Sequence, residues 1–302
     1  MGRIADALKR AEQERRMAAE TLSCGTAVRQ ASVQTSYATE AVRTSWPALN
    51  PPRAGEAVCP VDRLSDDLVP FFDRSALVTE QYRALRTRLL SQNPDYEHRA
   101  IAITSAVPKE GKSVTTLNLG CVLAEIRHLK VLVVDGDLRR GSLAEMLNEQ
   151  SKPGLAEIFS GEATYSEVIR DTAIPNLKFI PAGDISGRSA AELWTAASAK
   201  PVFHHMRNDF HYTIVDTPPT TTVTDVGMIG QLCTGVMIVI RLHHTDEPSA
   251  KRAVRLLQVN NIPITGCVLV GRDAPVDGYG YGYGYGYHHY TDKQYDNQPE
   301  GH

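Results

Sequence analysis

No stretch of this 302-residue chain approaches the roughly 20 apolar residues that a membrane-spanning helix needs; strongly apolar runs such as residues 235–240, GVMIVI, are far shorter. The opening MGRIADALKRAEQERR has no apolar h-region, which argues against a secretory signal. Gly2 fits an N-myristoylation pattern, but Asp6 stands where that pattern requires Ser or Thr. Cysteine is sparse. Cys24, Cys59, Cys121, Cys233 and Cys267 are odd in number and no two have CxxC spacing, so neither a disulfide framework nor a zinc site is favoured. A reducing cytoplasm suits this usage. An excess of one charge is missing too: 32 Lys and Arg face 35 Asp and Glu, a net charge of −3, which gives no basic character for nucleic acid. Association with a membrane is therefore expected through a partner or a surface helix.

What is present divides into four parts. Residues 1–21 read as an amphipathic helix with Ile4, Leu8 and Ala11 on one face. It serves either as packing or as a docking element. Residues 22–74 are rich in Ser, Thr, Ala and Pro with weak periodicity, and read as a flexible linker. Residues 75–273 alternate helical and strand patterns. Helices are expected over 78–92, from Lys112, near 141–148 and 153–160, across 189–209 and over 247–259. Strands are expected at 99–105, 130–135, 177–183, 212–216, 235–242 and 264–270. Short apolar strands between helices imply an α/β fold, a mostly parallel sheet flanked by helices. Ligands of such sheets bind at the carboxyl ends of the strands. Residues 274–302 form the fourth part, a flexible tail that carries seven of the twelve tyrosines.

Directly after the first strand comes Ala106-Val107-Pro108-Lys109-Glu110-Gly111-Lys112-Ser113-Val114. Gly-Lys-Ser opening a helix is the second half of a phosphate-binding P-loop. Gly111 lets backbone N–H groups close on phosphate oxygens, and the helix N-terminus adds partial positive charge. Lys112 would reach the β- and γ-phosphates and Ser113 would offer its hydroxyl to Mg²⁺. The full pattern places glycine where this chain has Ala106.

Two more strands end in carboxylates: Asp135 and Asp137 in VLVVDGD, and Asp216 in TIVDTPP. Singly, such residues are often caps or loop residues. Three at strand ends beside a phosphate loop suit a hard oxygen-ligated cation and a proton acceptor. Ser113, Asp135, Asp137 and Asp216 are the metal candidates, and Lys112 with the three aspartates the catalytic ones.

Residues 106–113 with DGDLR at 135–139 and DTPP at 216–219 resemble the Walker A, A′ and B motifs of the bacterial tyrosine kinases (BY-kinases). Their fold is of the P-loop, MinD/ParA-like group. Glu80, Arg83 and Arg86 in EQYRALR match the family's E-x-x-R-x-x-R, which implies a subunit contact in a ring-type homo-oligomer. The alternative for this stretch is a surface ion pair on one helix. The tail completes the resemblance, with Tyr279, Tyr281, Tyr283, Tyr285, Tyr287, Tyr290 and Tyr295 as the implied phosphoacceptors.

The resemblance covers about residues 75–295. It implies ATP and Mg²⁺ as cofactors, autophosphorylation in trans and control of exopolysaccharide or capsule synthesis. It also implies a membrane polysaccharide-copolymerase-like activator, an opposing tyrosine phosphatase and a peripheral place at the inner membrane. The proton acceptor is Asp135 or Asp137. Arg139 is expected to pair with these carboxylates or with phosphate. Three features depart from the family: Lys109 replaces a usual glycine and either helps bind ATP or faces solvent, loop 182–194 lacks the family's prolines, and Val107 stands where MinD-type ATPases carry a signature lysine. The last counts against the alternative reading, an ATP-switched scaffold without protein kinase activity.

Overall fold

The computed structural model describes residues 64–222 and 224–271. The N-terminal helix and most of the linker expected from sequence, and the tyrosine tail, lie outside the described residues. The packed body begins before residue 75, where sequence placed its start. Leu64 and Leu68 are buried in the main core, and the short helix α1 (Val69–Phe72) follows them.

Seven strands form one sheet. They are β1 (Arg99–Ser105), β2 (Val131–Asp135), β3 (Arg170–Asp171), β4 (Leu177–Ile180), β5 (Tyr212–Asp216), β6 (Gly235–Arg241) and β7 (Ile264–Val270). Their order is β3-β4-β2-β5-β1-β6-β7. All neighbours are parallel except β3 with β4. The central strands β1, β2 and β5 are buried almost throughout, so both faces must be covered, as unbroken apolar runs require. Chain reversals order the sheet so that β1, β2 and β5 lie side by side. Asp135 is in register with Asp216, and Ile103 of β1 pairs with Asp216 from the other side.

Helix α2 (Leu77–Ser91) packs on helix α3 (Lys112–Ala124), and α3 lies on the sheet with every residue from Thr115 to Ala124 buried. Three short helices follow: α4 (Leu143–Met146), α5 (Leu155–Ser160) and α6 (Tyr165–Val168). The helix expected over 189–209 is two helices, α7 (Ala190–Thr195) and α8 (Ala199–Asp209). Pro201 explains the break. It has no N–H to give and its ring clashes with a preceding turn, so it fits only the first turn of a new helix. In the same way β4 stops at Ile180 instead of 183, because Pro181 cannot donate to the ladder. Helix α9 (Asp225–Leu232), with two glycines, was not expected. Helix α10 (Glu247–Val259) starts on an Asp246 side chain that accepts the Ser249 N–H. Among the described residues, no helix is long and apolar enough to cross a membrane.

Candidate active site

The loop from Ala106 to Gly111 leaves the C-terminal end of β1 and feeds α3. Gly111 has φ 86, the left-handed region, which turns the chain into the helix at little cost. Lys109 has φ 65 and is exposed, so its side chain does face solvent. A left-handed conformation costs an L-residue about 1–2 kcal/mol, and glycine offsets part of that with its own chain entropy. Lys109→Gly should therefore raise stability by up to about 1 kcal/mol, read as a higher urea midpoint; a lower midpoint would contradict it.

The loop is held from outside by residues that sequence did not single out. Thr220 and Thr221, just after β5, donate their hydroxyls to the Ser105 and Ala106 carbonyls. Arg241 Nη1, at the end of β6, donates to the Lys109 carbonyl, and His244 Nε2, from the β6–α10 connection, to the Pro108 carbonyl, each at 3.1 Å. Glu110 is buried; it accepts the Val107 N–H at 2.6 Å and the Thr245 hydroxyl. These partners lie more than a hundred residues away, where no local pattern announces them.

The lysine and the carboxylates predicted from sequence do meet. Lys112 Nζ is 3.1 Å from Asp216 Oδ2 and 3.6 Å from Asp137 Oδ2. Ser113 Oγ donates to Asp216 Oδ2 at 2.6 Å. Asp135 accepts the Leu143 N–H at 2.9 Å and the Asp137 N–H at 3.3 Å. All three carboxylates are buried. Burial alone would lower the Lys112 ammonium, but Asp216 and Asp137 outweigh it and hold it above the usual lysine range. Burial pushes Asp216 up, against the pull of Lys112 and Ser113. One ammonium cannot neutralise three buried carboxylates, and the surplus is relieved by a proton. Burial and then Asp216 push the Asp135 carboxyl up to about 7.

Gly136 lets the two acidic strands approach. A Cβ there would sit 2.6 Å from the Asp216 carbonyl oxygen, while the Gly136 N–H donates to that same oxygen at 2.8 Å. Gly136→Ala must separate these backbones. It should cost about 1–3 kcal/mol and lower turnover by about a hundredfold through misplacement of Asp135 and Asp137. Turnover and melting measured together would check this, and an unaffected turnover would contradict it.

Arg139 forms no ion pair with the three aspartates. Its Nε and Nη2 donate to the buried Asp225 carboxylate at 2.9 and 3.2 Å, tying the loop after β2 to α9. Beside it, a cleft of about 340 Å³ opens on Asp135 between Arg140, Gly141, Ser151 and Asp184.

Glu80, Arg83 and Arg86 lie on α2, whose Arg86 side chain reaches the end of α3 remote from the loop. Arg83 binds Glu80 at 2.6 Å and both oxygens of Glu125, and Arg86 binds Glu125 at 2.7 Å and the Val122 carbonyl at 2.6 Å. The arginines hold the Glu125 carboxyl below its usual range, Arg83 most strongly, against its partial burial. The surface ion pair considered for Glu80 and Arg83 is therefore part of a larger network, centred on a glutamate that spacing along α2 could not reveal.

A phosphate loop at the end of β1, with lysine and carboxylates gathered from β2 and β5, defines a P-loop nucleotide-binding protein of the α/β class. Residues 98–246 match the model of the AAA domain family. The tyrosine-protein kinase CpsD of Streptococcus agalactiae is 30% identical over 198 residues, which cover 65% of this chain and 85% of that protein. The kinase domain of the Escherichia coli tyrosine kinase ETK superposes with a TM-score of 0.65 at 25% identity, covering 74% of this chain and 89% of that one. The chimerical protein CapA2B2 superposes with a TM-score of 0.64 at 26% identity, covering 70% and 92%. The chain belongs to the family of bacterial tyrosine-protein kinases.

Proposed function

We propose that this protein is an ATP-dependent tyrosine autokinase that phosphorylates Tyr279–Tyr295 of its own tail in trans, within a ring-type oligomer, and so regulates exopolysaccharide or capsule synthesis. One observation carries the reading: Lys112 Nζ lies between Asp216 and Asp137 at the mouth of the phosphate loop, in a chain of this family. The donors present fit Mg²⁺. They are hydroxyl and carboxylate oxygens, the hard ligands that Mg²⁺ takes beside its own waters. Ser113 and Asp216 would hold the ion, with Asp137 or Asp135 bound to its waters. When bound it would neutralise charge on the β- and γ-phosphates.

The chain's own groups do the rest. Lys112 and the loop amides bind the phosphates. The phenol would enter through the cleft beside Asp135. A free phenol titrates near 10 and cannot attack as the neutral acid without losing its proton. Asp135, poised near neutrality by burial, suits that acceptor's role better than a carboxylate of ordinary acidity. Arg139 and Asp225 fix the loop that carries Asp137.

Glycine on both sides of Tyr279, Tyr281, Tyr283 and Tyr285 would leave these phenols free to enter the cleft, and a glycine-rich coil of ten residues would span about 16–19 Å. Phosphates on alternate tyrosines would lie about 6.6 Å apart in an extended chain, within the Debye length of about 8 Å. Their repulsion would stiffen the tail and favour dissociation of the ring. The activator would be a membrane protein of the polysaccharide-copolymerase type, holding the kinase at the inner membrane, and a tyrosine phosphatase would reset it.

The decisive experiment incubates the protein with Mg·ATP and a matching activator segment, then maps phosphate by mass spectrometry, with Lys112→Met as control. Phosphate on tail tyrosines of the wild type alone is expected. Absence of phosphate from residues 279–295 would overturn the reading.

A further inference from the structure

At the far end of α3 from the phosphate loop is a cavity of about 580 Å³. Thirteen residues at about 1.5 Å each separate it from Lys112, roughly 20 Å. Its floor is apolar: Phe71 from α1, with Ile174 and Pro175 from the turn before β4. Its rim is cationic, with Arg74, Arg83 and Arg127 against the single carboxylate of Glu125. Arg83 is committed to Glu125 and Glu80. Arg74 and Arg127 are exposed and form no ion pair among the described residues. Two free guanidinium groups above an apolar floor match one kind of side chain well: an aromatic ring that carries a phosphate. Guanidinium binds phosphate in a bidentate fork, and the ring buries apolar area below.

We propose that this groove is a phosphotyrosine docking site, and that its occupant is the phosphorylated tail of this chain. The proposal rests on the autokinase reading for the origin of the phosphate, but not for the recognition itself. Charge complementarity favours the tail, since each phosphotyrosine brings about −1.5 to −2 charges. Chain length allows it. β7 ends beside the phosphate loop, where a Cβ on Gly111 would lie 3.7 Å from Val270. Tyr279 and Tyr295 are 8 and 24 residues beyond Gly271. At up to about 3.3 Å per residue these reach roughly 26 and 79 Å, beyond the length of α3. The same chain's tail can therefore leave the catalytic cleft and settle on the groove. Arg83 belongs to both the groove and the E-x-x-R-x-x-R stretch, so a docked tail covers the surface expected to contact the next subunit. The product of the reaction then occupies the ring contact, which gives phosphorylation a direct route to dissociation besides charge repulsion.

The test uses the full chain, freed of phosphate by phosphatase and kept without nucleotide. A fluorescein-labelled peptide of residues 277–291, phosphorylated on Tyr281 and Tyr285, is titrated by anisotropy, beside its unphosphorylated twin, inorganic phosphate and vesicles of anionic phospholipid. The phosphopeptide should bind at least tenfold more tightly than the twin. Arg74→Ala with Arg127→Ala should remove that advantage while the melting temperature holds, because both side chains are exposed. Inorganic phosphate should compete only at concentrations far above the peptide's. Equal binding of the two peptides, or undiminished binding by the double variant, overturns the proposal. So does vesicle binding through the same arginines in preference to the peptide, which makes the groove a lipid site. A chain that binds the phosphopeptide but never labels its own tyrosines refutes the kinase reading and supports the groove. Labelling without peptide binding refutes the groove alone.

Discussion

Lys112→Met should lower ATP-dependent tyrosine phosphorylation by about a thousandfold and should also change how the protein responds to acid. The first effect follows from position. Among the described residues the ammonium is the one cation paired with the buried carboxylates at the phosphate loop, and the phosphates of a nucleotide would compete for it. Methionine keeps the length of the side chain and removes the charge. The second effect follows from burial. Without Lys112, Asp216 keeps only the Ser113 hydroxyl at close range, with Thr116 Oγ1 at 3.5 Å. Removing one partner of a buried pair costs about 3–5 kcal/mol when the remaining charge persists. Here Asp216 can take a proton instead, since burial already pushes its carboxyl up. The variant should therefore be clearly destabilised at pH 8 and recover most of the loss at pH 5. Urea melts at the two pH values, with phosphate incorporation measured in parallel, would check both parts. A variant equally destabilised at both would mean that Asp216 does not carry the cost.

The pairing of an inactive lysine variant with a more acid-loving fold follows from how the site is assembled, and that assembly was only partly legible in the chain. Strands β1, β5 and β7 and helix α10 stand where the alternation of apolar strand runs and helical patterns placed them. Their signals are local, lying within each segment itself. The meeting of Lys112, Asp135, Asp137 and Asp216 was legible for the same reason, because the carboxylates sit at or just past strand ends, the loop that leads to Lys112 leaves another, and parallel strands align their ends. What escaped was of three kinds. Pro201 was a local signal of a helix break that the apolar pattern of 189–209 masked. Helix α9 has two glycines, which lower its propensity, and it is held by packing and by Arg139. Glu125, Asp225 and Thr245 are unremarkable where they stand in the chain. Their importance comes from side chains 42, 86 and 135 residues away, which only the folded topology brings near. The surplus of negative charge at the site belongs to this last kind too, since it requires burial as well as proximity.

That surplus sets a pH dependence whose sign is opposite to the one usual for aspartate. The Asp135 carboxyl titrates at about 7 in the folded chain, against about 3.9 when unfolded. Between those values the folded chain holds a proton that the unfolded chain has released. Stability must then fall as pH rises through this window, because the unfolded state binds fewer protons than the folded one. Above pH 7 the full cost is present, as much as about 4 kcal/mol for a shift of this size. Asp135→Asn removes the titration and keeps an oxygen for the Leu143 N–H. The variant, with chelator present, should be more stable than the wild type at pH 8 by a few kcal/mol and close to it at pH 4. The difference between the two urea melts reads Asp135 together with Asp216, the buried carboxylate that pushes it up. Phosphate transfer by the same variant should drop by about 10²–10⁴-fold through loss of the proton acceptor. A stability difference that does not change between pH 4 and 8 would show that Asp135 stays charged in the folded chain. An active variant would move the acceptor's role to Asp137. Together the two readings separate a carboxylate kept for chemistry at a cost to the fold from one that merely caps the turn into α4.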